Sequence, residues 1–278
     1  MILVTGATGQ LGSAFRRRLG DEARYLTIDD LDLADTSKIG EVITGFDPTM
    51  VINCAAYTAV DRAEDDEETA RAVNATAVGE LAVATAAAGA TFVTFSTDYV
   101  FDGTKDGPYT EDDQPSPINA YGRTKREGER AAIAANRQAL VIRTSWLMSG
   151  THPNFASTML RLIGEGTVQV VDDQRGHPTF VNDLAQGTLA ALDAGASGVL
   201  HLTNGGVTTW YGLAREIAAV AGLDVERVQP TSTREFPRPA ARPANSVLDS
   251  IRLEELGLDP LPDYGESLQS AVKQLGSG

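Results

Sequence analysis

The sequence predicts an α/β fold in which helices cover both faces of a doubly wound parallel sheet, followed by a smaller C-terminal lobe. Three observations support this prediction. Short apolar segments alternate with helical stretches in the first half, a glycine-rich loop separates the first strand from the first helix, and the alternation stops after Trp146. Strands that alternate with helices form right-handed βαβ units, whose crossovers bury a parallel sheet on both faces.

The first half of the chain supplies most of this sheet. Strands are predicted at 2–4, 25–28, 50–53, 91–95 and 139–143, and helices at 11–19, 36–45, 67–88 and 120–136. The strands are short and apolar, as expected for strands that are buried between two layers of helices.

The second half begins with loops rich in Gly, Pro and His. Helices are predicted at 155–163, 181–194, 210–221 and 265–275, and a strand at 199–202. We interpret residues 1–145, with a later return segment near 165–195, as the large domain, and residues 146–278 mainly as the smaller lobe. This lobe should cover the carboxyl ends of the strands, where open α/β sheets bind their ligands.

Composition narrows the function classes. The chain has 278 residues, 42% of them hydrophobic, which is enough for a sizeable core. No apolar run approaches the roughly 18 residues of a membrane helix, so we expect a soluble cytoplasmic protein. A net charge of -15 argues against nucleic acid, whose phosphates require a basic surface. With one cysteine and three histidines that lack zinc spacing, no metal site is expected.

The balance of charged residues favours a surface adapted to high salt. Carboxylates crowd the segment DRAEDDEE, and only four lysines accompany nineteen arginines. Salt screens the repulsion among such charges, so a halophilic, salt-rich cytoplasm is one interpretation. The alternative is an ordinary acidic protein from a GC-rich genome, in which EDDEE is the solvated start of a helix.

The loop TGATGQLG follows the first strand and opens the first helix, with Gly6, Gly9 and Gly12 at three-residue spacing. The first glycine permits the tight turn, the second lets a diphosphate approach the backbone, and the third lets the helix pack against the sheet. The helix N-terminus attracts the phosphates. This loop, including Gln10 and Leu11, is therefore predicted to bind NADH or NADPH, which makes the large domain an NAD(P)-binding Rossmann domain and the smaller lobe the substrate-binding lobe.

An acid is expected about 20 residues after the glycine loop. Asp29 or Asp30, near the end of the second strand, would accept a hydrogen bond from a ribose 2'-hydroxyl and repel a 2'-phosphate. This favours NADH, although either carboxylate can equally be surface charge.

A tyrosine and a lysine occur four residues apart in YGRTK, where a helix is predicted to begin. Tyr121 and Lys125 should lie on one face, one turn apart. A neighbouring ammonium lowers the pKa of a phenol from about 10, which makes the tyrosine a usable acid or base. Thr97, at the carboxyl end of a predicted strand, can direct its hydroxyl to the same reacting oxygen. The three residues are predicted to be catalytic.

Several of these segments resemble the extended short-chain dehydrogenase/reductase superfamily: TGATGQLG, INCAAYT, FSTDYVFDG, YGRTK and RTSW. More narrowly, STDYVFDG, NFASTMLRL, DDQRGHPT and RPANSVLD are similar to the dTDP-4-dehydrorhamnose reductases of that superfamily, over residues 1 to about 249. The resemblance implies that NAD(P)H reduces the C4 keto group of dTDP-4-dehydro-L-rhamnose to give dTDP-L-rhamnose.

The resemblance also implies roles for individual residues. Tyr121 would protonate the forming alkoxide, Lys125 would tune Tyr121 and hold the nicotinamide ribose, and Thr97 would donate a hydrogen bond to the carbonyl oxygen. Asp32 and Leu33 would lie near the adenine, Ala55, Ala56 and Tyr57 along the cofactor, and Thr97, Asp98, Trp146, Asn154 and Arg242 at the substrate. Trp146 can instead be a core aromatic, and Arg242 a solvated loop charge.

Other readings of the site remain open. A reductase of another nucleotide-linked 4-keto-6-deoxy sugar is the enzymatic alternative, and a non-catalytic partner resembling the regulatory subunit of methionine adenosyltransferase is the other. A dehydratase is disfavoured because Tyr99 stands where related dehydratases carry a glutamate, and an epimerase because the chain is short. Ala14 replaces an acid that helps some relatives bind magnesium between subunits, so a metal-bridged dimer is not expected. A homodimer of another kind stays open.

Overall fold

The computed structural model describes residues 1–276, so the last two residues of the predicted C-terminal lobe lie outside the described part of the chain. Its strands are β1 (Ile2–Thr5), β2 (Ala23–Leu26), β3 (Met50–Asn53), β4 (Thr91–Thr97), β5 (Leu140–Thr144), β6 (Leu147–Met148), β7 (Val168–Val171), β8 (Arg175–Gly176), β9 (Thr179–Phe180), β10 (Gly198–His201), β11 (Asn204–Gly205), β12 (Thr208–Thr209), β13 (Val228–Thr231) and β14 (Leu261–Asp263). The helices are α1 (Gln10–Leu19), α2 (Ile39–Gly45), α3 (Glu67–Arg71), α4 (Ala77–Ala87), α5 (Ala120–Ala135), α6 (Phe155–Glu165), α7 (Val181–Asp193), α8 (Trp210–Val220), α9 (Arg252–Glu255) and α10 (Tyr264–Leu275).

A six-stranded parallel sheet forms the centre, in the order β10-β5-β4-β3-β1-β2. The chain extends the sheet to one side of β1 with β2 and then to the other side with β3, so the winding reverses at β1. Such a reversal opens a crevice at the carboxyl ends of the strands, where α/β proteins bind ligands. The predicted doubly wound parallel fold is confirmed.

Alternate residues of each strand enter cores on opposite faces of this sheet, because successive side chains of a strand point to opposite sides. Val4 and Ile52 belong to a core with α1 and α7, whereas Leu3 and Val51 belong to a core with α2, α4 and α5. All four side chains are fully buried. Two covered faces explain why the strands read as continuous apolar runs rather than alternating ones.

The C-terminal lobe has a separate core. Helices α6, α8 and α10 pack together beside the parallel pair β7 and β13. Helix α7 packs on α1 and β10 pairs with β5, so this part of the chain returns to the large domain. The predicted division near residue 145 and the predicted return segment remain interpretations of this arrangement. No helix within residues 1–276 combines the length and apolar character needed to cross a membrane.

Two elements differ from the predicted ones. Strand β2 ends at Leu26, and Ile28, predicted within it, is 68% exposed. The Asp30 carboxylate accepts hydrogen bonds from the backbone N–H and the hydroxyl of Thr27, which turns the chain away from the sheet. The long helix predicted at 67–88 is interrupted by a π-helical segment, Ala72–Thr76. Such wide turns are often found at functional sites.

Candidate active site

A cleft of about 570 Å³ lies at the carboxyl ends of the central strands. It runs from the glycine loop to the start of α5. Its lining includes the glycine loop (Gly6, Gly9, Gln10, Leu11), the acidic turn (Asp32, Leu33), the segment after β3 (Cys54, Ala55, Ala56, Tyr57), the end of β4 (Phe95, Ser96) and, from α5, Tyr121 and Lys125. The structure therefore brings together most of the residues that the sequence predicts for the cofactor and the reaction.

The glycine loop leaves no room for side chains at its two ends. Gly6 has a φ of +64°, and a Cβ there would lie 2.6 Å from the Ala55 nitrogen. A Cβ on Gly12 would collide with the Gly6 carbonyl, so this glycine sets the distance between α1 and the turn. Helix α1 follows Gly9 and, within the described residues, has neither a side-chain cap nor an acid in its first turn. Its free N–H groups therefore suit a diphosphate.

A second observation also supports the binding of a nicotinamide dinucleotide in the cleft. The Tyr57 hydroxyl and the Thr144 hydroxyl are buried, and neither has a hydrogen-bond partner within the described residues. Both residues line the cleft. Buried polar groups are nearly always hydrogen-bonded, so unpaired ones in a cleft indicate groups that a ligand satisfies.

The acidic turn after β2 places Asp32, rather than Asp29 or Asp30, on the cleft. Asp32 Oδ1 accepts a hydrogen bond from Ala34 N at 2.9 Å, which fixes the turn. The Asp30 carboxylate is engaged by Thr27 instead. The acids on which the expected preference for NADH depended are therefore not part of the lining, and that preference stays a prediction.

Two buried asparagines, which the sequence analysis missed, hold the segment after β3. Asn53 Oδ1 accepts a hydrogen bond from Ala55 N at 3.2 Å. Asn74, in the π-helical segment, accepts from Tyr57 N at 2.9 Å and donates to Tyr57 O at 3.0 Å. Its amide also donates to Thr124 Oγ1, next to Lys125. The sequence does show an amide side chain inside an otherwise apolar strand or helix. Such a residue is seldom buried without specific hydrogen-bond partners, so it could have indicated these contacts.

Helix α5 positions the tyrosine and the lysine. Asn119 caps the helix by accepting a hydrogen bond from Gly122 N at 2.7 Å, so Tyr121 lies in the first turn. Lys125 is 5% exposed and donates from Nζ to the Phe95 carbonyl at 2.5 Å. Burial lowers the pKa of Lys125 to about 8, and the charge of Glu129 opposes that change.

The pKa of Tyr121 contradicts the sequence-based expectation. Burial raises it well above the ordinary value of a phenol, the negative charge of Asp98 raises it further, and the Thr97 hydroxyl lowers it. Burial and Asp98 outweigh the lowering expected from Lys125, whose ammonium donates to the Phe95 carbonyl in this structure. Tyr121 is therefore a protonated phenol at neutral pH, which suits an acid better than a base.

Thr97 and Asp98 form a buried pair at the end of β4. The Thr97 hydroxyl donates to Asp98 Oδ1 at 2.8 Å and accepts from Tyr99 N at 3.1 Å. Burial raises the pKa of Asp98 to about 6, and the nearby hydroxyls of Ser246 and Thr97 partly offset this rise. Asp98 Oδ2 is buried without a hydrogen-bond partner in the described chain. One carboxylate oxygen thus accepts from Thr97, and the other, near Ser246, has capacity for a further hydrogen bond.

Trp146 and Arg242 lie beside this centre rather than in the lining of the cleft. Trp146 has a left-handed backbone (φ +45°), and its indole stacks on Trp210 with ring centroids 3.6 Å apart. A left-handed conformation is uncommon for a large residue, and strained backbone of this kind clusters at functional sites. Arg242 is 14% exposed and donates to Asp61 at 2.7 Å. Burial raises the pKa of Tyr99, and Arg242 lies close enough to oppose part of that rise.

Asn154 makes its contacts at the N-terminus of α6, and its predicted role at the substrate stays a prediction. Its Oδ1 accepts hydrogen bonds from the N–H groups of Ala156 and Ser157, which caps α6. Its Nδ2 donates to Ser149 O at 2.7 Å and to Gln10 Oε1 at 3.3 Å. The side chain joins α6 to the glycine loop and leaves few hydrogen bonds for a substrate.

Comparisons with known proteins agree with this geometry. A family model described as the RmlD substrate binding domain matches residues 1–277. A dTDP-4-dehydrorhamnose reductase from Mycolicibacterium smegmatis is 44% identical over 98% of this chain and 84% of its own length. A dTDP-4-keto-6-deoxy-D-glucose reductase from Streptomyces niveus is 41% identical over 98% of this chain and 96% of its own. The solved structure of dTDP-4-dehydrorhamnose reductase from Bacillus anthracis, in complex with NADP, matches with a TM-score of 0.94 and 35% identity over 98% of both chains.

Proposed function

The chain belongs to the family of the RmlD substrate binding domain, and from that premise we propose that it reduces the C4 keto group of dTDP-4-dehydro-L-rhamnose with NAD(P)H to give dTDP-L-rhamnose. The observation that carries the proposal is the cleft itself. Tyr121 and Lys125 line the same cavity as the glycine loop, and Thr97 lies beside the Tyr121 phenol. Relatives named for this reaction cover nearly the whole chain.

The cofactor would lie along the glycine loop and the segment after β3. Gly6, Gly9 and Gly12 leave space for its diphosphate, together with Gln10 and Leu11 at the start of α1. Asp32 and Leu33 would surround the adenosine, with Ala55, Ala56 and Tyr57 along the remainder. When bound, NAD(P)H supplies the hydride, and the protein supplies orientation and protons.

Tyr121 is the proposed acid. As negative charge develops on the former keto oxygen, the phenol transfers its proton to that oxygen and the alcohol is formed. The raised pKa keeps Tyr121 protonated before the reaction. Lys125 carries a positive charge below a pH of about 8, and this charge stabilises the phenolate that remains.

Thr97 would contact the keto oxygen that Tyr121 protonates, and Asp98 would contact the sugar. For Thr97 to donate to the keto oxygen, its hydroxyl must turn from Asp98 Oδ1 to the substrate. The unpartnered Asp98 Oδ2 would accept a hydrogen bond from a sugar hydroxyl. Once turned to the substrate, the Thr97 hydroxyl would stabilise the negative charge that develops on the keto oxygen.

The remaining substrate contacts are proposed from the resemblance and the surroundings of each residue. Trp146, braced by Trp210, would pack on the sugar, and Arg242 would pair with the diphosphate through nitrogens that Asp61 does not use. Asn154, which caps α6 and contacts Gln10, would also contact the substrate, as the resemblance implies.

A reductase of a related sugar is the second candidate. The relative from Streptomyces niveus is named for dTDP-4-keto-6-deoxy-D-glucose and is nearly as similar as those named for dTDP-4-dehydrorhamnose. The two substrates differ in the stereochemistry of carbons next to the keto group. A non-catalytic partner protein is disfavoured, because a buried lysine and a half-buried tyrosine in the cleft of the glycine loop suit catalysis better than docking.

The experiment that tests the proposal follows NADH and NADPH oxidation with each of the two dTDP-4-keto sugars. We expect the 3,5-epimerised sugar, dTDP-4-dehydro-L-rhamnose, to be reduced with the higher kcat/KM. A preference for the unepimerised sugar would support the second candidate. No oxidation with either sugar would contradict both. Running the assay in low and in molar salt also tests the halophilic interpretation, which expects higher activity in salt.

We further propose a cytoplasmic location and a homodimeric assembly. A nucleotide sugar and a reduced nicotinamide cofactor are both substrates of the cytoplasm, and the acidic composition suits a salt-rich one. We also propose that residues 1–145 and the return segment bind the cofactor while residues 146–278 mainly bind the substrate. Within residues 1–276 no cluster of His, Cys, Asp and Glu side chains is arranged to hold a metal ion.

A further inference from the structure

A buried ion pair between Glu129 and Arg143 lies next to Lys125, on the side away from the cleft. Lys125 and Glu129 are one helical turn apart on α5, so their side chains share a face. Lys125 is 5% exposed and Glu129 is 1% exposed. Lys125 reaches the cleft, whereas Glu129 points deeper, to the carboxyl end of β5.

Arg143, the penultimate residue of β5, fixes the Glu129 carboxylate. Its Nε donates to Oε1 at 2.8 Å and its second terminal nitrogen donates to Oε2 at 2.8 Å, which is the two-pronged geometry of a guanidinium and a carboxylate. Arg143 is 2% exposed and its guanidinium lies over the ring of Phe101. From the outer side of α5, Arg126 donates to the same carboxylate at 2.7 Å.

Stability alone does not account for this pair. Removing two charges from water costs about as much as, or more than, their attraction returns, and apolar residues of similar volume often replace such pairs without loss. A buried ion pair next to a proposed active site therefore suggests a role in setting the charge of a neighbouring group.

The other charged groups around Lys125 do not replace Glu129 in this role. At the cleft end of α5, Tyr121 is neutral, and the charge of the Asp98 carboxylate raises the pKa of the Tyr121 phenol. Beyond the ion pair, His201 on β10 contacts Arg143 at 3.3 Å, and burial lowers its pKa, so it is neutral at pH 7. Glu129 is the charge that opposes the effect of burial on Lys125.

We infer that Glu129, held by Arg143, is a positioning residue that keeps the Lys125 ammonium charged inside a site from which water is excluded. The inference rests on the proposed function only in that Lys125 serves the reduction. Burial alone disfavours an ammonium, and without the carboxylate one turn away Lys125 would lose its proton at a lower pH. The phenolate left on Tyr121 would then lack its counter-charge at neutral pH.

The test measures the protonation of Lys125 directly in the full-length protein. The chain contains four lysines, so labelling lysine with ¹³C at Cε gives four signals, and Lys125→Met identifies the one from the cleft. We expect a midpoint of about 8 for Lys125 in the wild type. In Glu129→Gln the midpoint should fall by about one unit or more, because the remaining Arg143 charge repels the ammonium.

A second variant keeps the test decisive, because Glu129→Gln leaves Arg143 buried without its partner and can fail to fold. Glu129→Met/Arg143→Met removes both charges and replaces the pair with apolar side chains, which buried ion pairs often tolerate. Its Lys125 midpoint should also fall. Arg126→Gln is the matched control, because it removes a cation from the same carboxylate, so its midpoint should stay or rise.

A wild-type midpoint for Lys125 in either folded variant would overturn the inference. The readout is independent of the proposed reaction, because it needs no substrate. If the midpoints shift but neither dTDP-4-keto sugar is reduced, the role of Glu129 stands and the proposed function fails. In an active enzyme, the high-pH decline of kcat should move to lower pH together with the Lys125 midpoint, whereas a purely structural role of Glu129 would lower kcat equally at every pH.

Discussion

Replacing Asp98 by asparagine should stabilise the protein, and by an amount that depends on pH. The carboxylate is buried, its pKa is raised from 3.8 to about 6, and one of its oxygens has no hydrogen-bond partner in the described chain. A carboxyl whose pKa is higher in the folded state destabilises the fold when it is ionised. This destabilisation is absent below the unfolded pKa and complete above the folded one.

The magnitude follows from the two pKa values of Asp98. A difference of about two units corresponds to about 3 kcal/mol of unfolding free energy at pH 8. At pH 5 the folded carboxyl is largely protonated, and about half of that penalty remains. The advantage of Asp98→Asn over the wild type should therefore shrink by about 1.5 kcal/mol from pH 8 to pH 5. This change is independent of any constant penalty for burying the amide.

Urea unfolding at the two pH values measures this difference. Asp102→Asn is the matched control of opposite sign, because hydrogen bonds from the Thr104 backbone and the Tyr109 hydroxyl lower the pKa of Asp102. The control should be less stable than the wild type at pH 8. If the free-energy difference between Asp98→Asn and the wild type is the same at both pH values, Asp98 does not have a raised pKa in the folded protein.

Three further predictions concern the cleft and its supports. Gly6→Ala should weaken NAD(P)H binding by about tenfold or more in a fluorescence titration, because the new methyl would lie 2.6 Å from Ala55 N. Gly89 is the control: its backbone is equally left-handed but has open space around it, so Gly89→Ala should bind NAD(P)H normally. Asn154→Ala should lower the free energy of unfolding by about 1 kcal/mol in urea through loss of the α6 cap, and an unchanged value would contradict that role. Arg242→Gln should raise the KM for the nucleotide sugar more than Arg238→Gln. Arg242 is 14% exposed and Arg238 is 50% exposed, so water screens the charge of Arg238 more strongly. Equal effects of the two substitutions would count against a contact between Arg242 and the diphosphate.

Local patterns in the sequence were sufficient to predict the central sheet and the core of the site. The three glycines, the short apolar strands and the four-residue spacing of Tyr121 and Lys125 are set by neighbouring residues, so a single sequence displays them. The end of β2 was less predictable, because it depends on the hydrogen bonds that Thr27 donates to the Asp30 carboxylate. Strand β7 was missed, since its partner β13 is distant in the chain and contains a proline.

The chemistry of the site depends on contacts that sequence spacing does not display. Lys125 is four residues from Tyr121, yet burial and Asp98 decide the pKa of the phenol, and neither is visible in YGRTK. The π-helical segment exists where Asn74 binds the backbone of Tyr57, 17 residues away in the chain. Trp146 stacks on Trp210, which comes from a later part of the lobe, so the sequence around Trp146 does not display this contact.

The proposed reduction depends most on Tyr121 as the proton donor for a keto sugar. Steady-state oxidation of NADPH with dTDP-4-dehydro-L-rhamnose, compared between the wild type and Tyr121→Phe, tests it directly. Since general acid catalysis contributes at least about a hundredfold in most enzymes, we predict that kcat falls by at least about tenfold while NADPH affinity is retained. A Tyr121→Phe variant with the kcat of the wild type would show that Tyr121 is not the proton donor.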